Sequence, residues 1–167
     1  MPLPTIATPT YELELPSTGK KIKYRPFLVK EEKLLVLALE TENTKDISTA
    51  IKTVLKNCIQ SRGVKVESLP TFDIEYLFLN IRGKSVGEEI EVNLIAPDDE
   101  ETSVPVTINI DDIKISKKKG HTNKIKLDTS LMMEMKYPSL DEFVKNNFDF
   151  DGEVDMDQSF DLIASCI

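Results

Sequence analysis

The sequence predicts an α+β protein in which three antiparallel β-hairpins accompany about five α-helices, with the helices forming the main core. Three observations lead to this prediction. Apolar and charged residues alternate on both sides of a turn at 16–19, which is typical of a β-hairpin. Apolar residues fall at helical spacing between 46 and 60, which indicates an amphipathic helix. Two further alternating ribbons, at 87–110 and 122–137, predict two more hairpins.

The first hairpin, predicted at 10–26, has a well-specified register. Its loop runs from Pro16, which presets one turn dihedral, to Gly19, which supplies the positive φ. If Leu15 pairs with Lys20, one face carries apolar cross-strand pairs and the other carries pairs of opposite charge. These pairs are Leu13 with Ile22, Tyr11 with Tyr24, Glu14 with Lys21 and Glu12 with Lys23. Each contributes roughly 0.2–1 kcal/mol, and a slip of one residue would turn the apolar set outward.

The first helix is predicted at 29–42 and is rich in strong helix formers. Its middle, Leu34 to Leu39, is apolar on almost every side. A helix of this kind is buried against several neighbours, so we expect it to be central.

Four more helices are predicted. The second, at 46–60, has a single apolar stripe, and the third, at 69–82, is expected to be capped by Ser68 or Thr71 and ended by Gly83. The fourth, at 139–147, begins with a capping box of Ser139 and Glu142, and the fifth is at 156–167. Across these helices we expect six side chains to be buried: Leu34, Leu37, Leu55, Phe72, Leu77 and Phe78.

The other two predicted hairpins differ from the first in their turns and flanking segments. The second, at 87–110, turns at an acidic tip, 98–101, and Pro105 within its returning strand indicates an edge position. The third, at 122–137, follows a basic segment at 117–121.

The predicted domain organisation has three parts. Residues 1–10 form an extended N-terminal arm because three prolines prevent regular structure, and residues 11–150 form a single α+β domain. Residues 151–167 form an acidic linker and the start of a C-terminal helix. Because the apolar pattern is uncapped at Ile167, we expect this chain to be truncated and the natural protein to continue in helix.

The composition excludes several function classes. The chain has 167 residues, 40% hydrophobic and 30% charged, and a formal net charge of −8, which argues against nucleic-acid binding. No apolar run approaches the roughly 20 residues that cross a bilayer, so we expect no membrane partner. Cys58 and Cys166 fall within apolar helical patterns, which predicts free buried thiols in a reducing cytoplasm.

Catalytic and metal-binding patterns are missing from the sequence. His121 is the only histidine, follows three lysines, and is expected to lie in a solvated loop. The segment 83–87, "GKSVG", lacks the spacing of a phosphate-binding loop, and we interpret it as a helix-to-strand turn. The acidic stretches 97–102 and 149–157 depart from the spacing of a calcium loop, which favours a solvated turn and a linker. We therefore expect no catalytic residue, metal, cofactor or small-molecule substrate.

Four stretches, read together, resemble the baseplate hub subunit and hub-assembly family of T-even-like, contractile-tailed bacteriophages. They are "TPTYELELPSTGKKIKYRPFLVKEEKLLVLALE", "TFDIEYLFLNIRGKSVGEEIEV", "KYPSLDEF" and "DQSFDLIASCI". Of these, "YRPFLVKEEK" and "LNIRGKSVGEE" are the most specific, since no simple composition bias generates them. The resemblance implies a non-enzymatic protein that acts in assembly of the baseplate central hub, in the host cytoplasm, with other hub proteins as partners. The alternative that it implies is a permanent structural subunit of the virion hub.

This resemblance suggests a purpose for the first hairpin. Exposed strand edges offer backbone groups to a partner by β-augmentation, and charges on the outer face can set the register of such a contact. The partner-binding hypothesis therefore names Glu12, Glu14, Lys21, Lys23 and Arg25. The alternative is a charged, solvated face without a partner.

Overall fold

The computed structural model describes residues 7–98, 102–116, 119–145 and 156–167, and the side chains of these residues except 143–145 and 158. Residues 1–6 of the predicted arm, 99–101 of the acidic tip, 117–118 of the basic segment and 146–155 lie outside the described residues. The last range includes the end of the predicted fourth helix, the first part of the predicted linker and most of the acidic stretch 149–157. The helices are α1 (Val29–Glu40), α2 (Thr44–Cys58), α3 (Thr71–Val86), α4 (Leu140–Lys145) and α5 (Met156–Ser165). The strands are β1 (Tyr11–Glu14), β2 (Lys21–Tyr24), β3 (Glu89–Ile95), β4 (Ser103–Asn109), β5 (Lys124–Lys126) and β6 (Met132–Glu134).

The α+β class is confirmed, and each of the three predicted hairpins forms. They pair as β1–β2, β3–β4 and β5–β6, each a separate two-stranded antiparallel sheet. The register predicted for the first hairpin is confirmed at all four positions, from Tyr11 opposite Tyr24 to Glu14 opposite Lys21. The Leu15 N–H donates to the Lys20 carbonyl at 2.9 Å, and Gly19 takes the predicted positive φ of 69°.

The main core lies between α2, α3 and the inner face of the first hairpin. Its buried members are Leu15, Ile22, Tyr24, Val54, Leu55, Cys58, Val66, Leu69, Ile74, Leu77 and Ile81. The predicted stripe of α2 faces this core, and Asn43 caps the helix by accepting a hydrogen bond from the Lys45 N–H at 2.9 Å. Because the hairpin contributes three buried side chains, it is an integral part of the core.

The prediction that α1 is a central, buried helix is wrong. Only Glu31 and Ala38 are buried on it, and Val29, Val36 and Leu39 are at least half exposed. The helix packs mainly against α2, with Leu34 and Leu35 reaching the core. Its apolar residues surround the helix axis, and most of that surface is left uncovered by the described residues.

The predicted limits of α3 are also corrected. The helix passes through Gly83 and ends at Gly87, whose φ of 132° suits glycine. Gly83 therefore lies inside the helix, where the absence of a side chain permits close packing. A Cβ at this position would stand 3.2 Å from the Ile110 side chain. Pro70 occupies the N-cap position with no side-chain hydrogen bond, and neither Ser68 nor Thr71 acts as the cap.

The capping box of α4 is confirmed. The Ser139 N–H donates to the Glu142 carboxylate at 2.8 Å, and the Glu142 N–H donates to the Ser139 hydroxyl at 3.3 Å. The Ser139 N–H, and after it the Ser139 hydroxyl, which also donates to the Glu142 carboxylate, lower the pKa of Glu142.

Only part of the burial prediction holds. Leu55 and Leu77 are fully buried, whereas Leu34 and Phe78 are half-buried. Leu37 is 50% exposed and Phe72 is 37% exposed, so the prediction is wrong for these two. Leu37 lies on the uncovered side of α1.

Candidate docking surface

The outer face of the first hairpin presents four of the five charges in the partner-binding hypothesis. Glu12, Glu14, Lys21 and Lys23 are all exposed, while the residues between them point into the protein. Lys21 Nζ and Glu12 Oε1 are 3.4 Å apart in a solvated ion pair. Exposed pairs of this kind contribute less than about 1 kcal/mol, so these charges add little to the stability of the hairpin.

The fifth residue, Arg25, is placed differently. Its guanidinium is 14% exposed and lies 3.1 Å from the carboxylate of Glu31, which is only 1% exposed. The same carboxylate accepts a hydrogen bond from the Leu28 N–H at 2.8 Å and so caps the start of α1. Arg25 therefore joins the hairpin to α1 and is separated from the outward-facing charges.

The protonation of Glu31 depends on this pairing. Burial alone would raise its pKa, but the hydrogen bonds from the Leu28 N–H and the Arg25 guanidinium, with the attraction of the arginine charge, lower the pKa below its ordinary value. Glu31 is thus held as a buried carboxylate, compensated by a cation and a backbone donor.

The two edges of the hairpin are unequal. The outer edge of β2 is occupied, because the Gln60 N–H donates to the Lys23 carbonyl at 2.8 Å and the Arg25 N–H donates to the Cys58 carbonyl at 3.0 Å. Since hydrogen-bonded and non-hydrogen-bonded pairs alternate along an antiparallel ladder, Glu12 and Glu14 direct their backbone groups away from β2. Within the described ranges, no residue forms a hydrogen bond with those backbone groups. The β1 edge is therefore open.

The turn of the hairpin is fixed to α3. The Ser17 N–H donates to Asp73 Oδ1 at 2.9 Å, and the Ser17 hydroxyl donates to the other oxygen of the same carboxylate. Asp73 is fully buried in the first turn of α3. This contact, together with the buried inner face, holds the β1 edge rigidly.

An open groove of about 950 Å³ begins directly after β1. Its lining includes Pro16 and Ser17, the exposed side of α3, and His121 and Tyr137 from the segments that flank the third hairpin. Its apolar lining comes mainly from Phe72, Tyr76, Phe78, Leu79, Ile113 and Ile115. This groove was not predicted, since its residues come from distant segments of the sequence. Of its apolar lining, only Phe72 and Phe78 had been singled out, and as core residues.

His121 lies in an exposed loop, as predicted, and its ring has an aromatic neighbour. Its ring stacks on Tyr137, and Nε2 lies 2.6 Å from the tyrosine hydroxyl, while the Tyr137 ring meets Phe72 edge-on with centroids 4.8 Å apart. His121 is nevertheless exposed. Among the described residues, the hydrogen bond of the His121 ring is to Tyr137, and none joins the ring to Glu75, the carboxylate that lines the same groove.

Two kinds of site are lacking among the residues that the structure describes. No group of three or more histidine, cysteine, aspartate or glutamate side chains in these ranges could hold a metal ion. In the same ranges, no helix has the length and apolar character needed to cross a membrane. Both cysteines are buried free thiols.

Taken together, these features define an α+β protein whose exposed surfaces suit protein partners: an open strand edge with ordered charges and an apolar groove beside it. The chain belongs to the family described as T4 bacteriophage base plate protein, whose family model matches residues 8–167. It is therefore a phage baseplate protein, and the predicted resemblance is confirmed at the level of the family. Neither the curated proteins nor the solved structures compared with the chain gave a match.

Proposed function

We propose that the protein acts without catalysis in the assembly of the baseplate central hub, by docking onto another hub protein through its first hairpin. Membership of a baseplate family supports a role among tail proteins. The observation that carries the finer proposal is the open β1 edge on a hairpin whose turn and inner face are fixed to the core. We place this step in the host cytoplasm.

A fixed, open edge suits β-augmentation. An added strand would find the outward backbone groups of Glu12 and Glu14 already in an extended arrangement, so little conformational entropy is lost on the receiving side. The β2 edge is closed by residues after α2, which leaves one direction for growth of this sheet.

The exposed charges supply the specificity in this proposal. Glu12, Glu14, Lys21 and Lys23 form a two-by-two array on the outer face, with two acidic side chains along β1 opposite two basic side chains along β2. Such an array sets register and accelerates encounter with a complementary partner more than it adds affinity. Arg25 contributes indirectly, by fixing the end of β2 to Glu31.

A second candidate is a permanent structural subunit of the virion hub. It is favoured by the uncovered apolar side chains of α1, since obligate interfaces are more hydrophobic than transient ones. Mass spectrometry of purified virions beside immature hub complexes separates the two. An assembly factor is expected in the immature complexes and depleted from virions, whereas a structural subunit is expected in both in constant proportion.

The docking role is tested by the double variant Lys21→Glu/Lys23→Glu, which puts like charges opposite Glu14 and Glu12. The fold should lose only about 1 kcal/mol per exposed pair. Capture of hub proteins from infected cells should fall much further, and the difference from the natural protein should shrink at high salt.

The matched control is Lys45→Glu/Lys65→Glu, which makes the same change in net charge at exposed sites outside the hairpin. Its capture of hub proteins should equal that of the natural protein. If the hairpin variant keeps its melting temperature and still captures hub proteins at the natural level, the docking role is wrong.

A further inference from the structure

The strand β5 carries a pattern complementary to the open β1 edge. It reads Lys124-Ile125-Lys126 and is followed by Leu127, so basic and apolar side chains alternate along it. All four side chains are exposed. In β1, acidic and apolar side chains alternate in the same way. A hairpin exposed on both faces is marginal alone, which gives β5–β6 a reason to pack on another surface.

The backbone of β5 is also oriented for pairing. The Met135 N–H donates to the Asn123 carbonyl at 2.8 Å and the Leu127 N–H donates to the Leu131 carbonyl at 3.0 Å, so the odd-numbered residues face β6. By the antiparallel alternation, Lys124 and Lys126 direct their backbone groups to the outer edge. One of these groups, the Lys124 N–H, donates to the Thr122 hydroxyl at 3.2 Å.

We propose that two copies of this chain associate by antiparallel pairing of β5 from one copy with the β1 edge of the other. In the register that matches charge, Glu12 lies opposite Lys126 and Glu14 lies opposite Lys124. The same register sets Leu13 opposite Ile125 and Tyr11 opposite Leu127. The result is a four-stranded sheet in the order β2, β1, β5 and β6, with the last two strands from the second copy.

The groove supports a reciprocal contact. Its lining includes Pro16 and Ser17, which follow β1, and also His121 and Tyr137, which flank the β5–β6 hairpin at its base. Residues that follow the receiving edge β1 and residues that flank the donor hairpin β5–β6 thus line the same groove. If β5 of each copy pairs with β1 of the other, the two contacts are equivalent and form a dimer with two-fold symmetry.

Another edge has a similar pattern. β3 alternates Glu89, Ile90, Glu91 and Val92, and it lies in a separate sheet. β1 is the better receiver because Tyr11 and Leu13 pack against the core and the turn is fixed by Asp73. The β3 edge therefore provides a matched control.

The experiment measures the molar mass of the full chain by light scattering over a concentration series. The natural chain should approach twice its 18.9 kDa mass. Glu12→Lys/Glu14→Lys and Lys124→Glu/Lys126→Glu should each weaken association by about tenfold or more, because like charges then face each other along the pairing. Glu89→Lys/Glu91→Lys should leave it unchanged.

Mixing the two disruptive variants gives the decisive result. Both interfaces of the mixed dimer have opposite charges again, so association should return to the natural strength. The proposal is overturned if the natural chain stays at monomer mass, if the β3 variant disrupts association while the β1 variant does not, or if mixing restores nothing. Melting curves of each variant establish that the fold is retained.

The inference rests on the open β1 edge of the proposed docking function, but failure of self-pairing can be distinguished from failure of docking. If the chain is a monomer and Glu12→Lys/Glu14→Lys abolishes capture of hub proteins, the edge receives a different protein and self-pairing is wrong. If that variant affects neither mass nor capture, both proposals fail.

Discussion

Removal of the Glu31 carboxylate should destabilise the protein more than removal of any charge on the outer face of the hairpin. The carboxylate is 1% exposed and joins two elements, the end of β2 through Arg25 and the start of α1 through the Leu28 N–H. Its third partner is the exposed Lys30 of α1, whose Nζ is 3.4 Å away. In Glu31→Ala these partners lose their acceptor, and a guanidinium that is 14% exposed is left without its anion.

The expected magnitude follows from these contacts. Loss of the helix cap costs about 1 kcal/mol, and removal of one partner of a buried ion pair costs about 3–5 kcal/mol in all. Against a total stability of roughly 5–15 kcal/mol for a domain, this is a large fraction. Glu31→Gln keeps an oxygen that can accept from the Leu28 N–H, so it should cost less, about 2–3 kcal/mol.

The pH dependence has a definite sign. Because the hydrogen bonds and the Arg25 charge overcome the effect of burial, the pKa of Glu31 in the folded protein is below the ordinary 4.5. The stability that the ionised form contributes is complete above the unfolded value and is lost as the pH falls through the folded one. The difference in free energy of unfolding between the natural protein and Glu31→Gln should therefore narrow below about pH 4.5.

Urea unfolding followed by circular dichroism, at pH 7 and at several values below 4.5, measures both effects. Other carboxylates with lowered pKa values, such as Glu142, are present in both proteins and cancel in the difference. A cost below about 1 kcal/mol for Glu31→Ala at pH 7 would show that the pair is not a stabilising link. A gap that widens on acidification would refute the assigned direction of the pKa.

Three further outcomes are expected. Burial raises the pKa of Cys58 to about 11, so iodoacetamide should modify this thiol only as fast as the protein unfolds; rapid labelling at pH 8 in the folded protein would contradict its burial. Gly87→Ala should lower the free energy of unfolding by about 1–3 kcal/mol, because φ at this position is 132°; an unchanged urea midpoint would contradict the conformation. His121→Ala should leave phage yield unchanged in a plaque-complementation assay, since no described neighbour equips the ring for catalysis; loss of plaques would reopen the question of an active site.

The hairpin register was predictable because local signals agreed. The turn residues Pro16 and Gly19 fixed the loop, and a one-residue slip would have exposed Ile22. The same reasoning extended the charged face one residue too far. Arg25 follows the last strand residue, and its side chain enters the ion pair with Glu31, which is a contact between elements that alternation cannot reveal.

The errors in the helices have a common physical origin. An apolar run such as Leu34 to Leu39 shows that a helix needs covering, but it does not identify what covers it. Gly83 was taken as a helix end because glycine has low helix propensity, whereas here it allows Ile110 to approach α3. The groove could not be predicted for the same reason, since it forms where segments that are distant in the sequence come into contact.

The uncovered surface of α1 and the charged β1 edge suggest different stages of one association. Ordered charges on an exposed edge act at a distance and mainly affect the rate of encounter. Apolar side chains such as Val36 and Leu37 act only once they are buried, and therefore mainly affect how long a complex lasts. An assembly factor that must leave its partner needs the charged edge for rapid encounter, but should not bury the whole apolar surface of α1. A subunit retained in the virion would bury both the β1 edge and the apolar surface of α1. Whether the α1 surface becomes buried is therefore the physical difference between the two candidate functions.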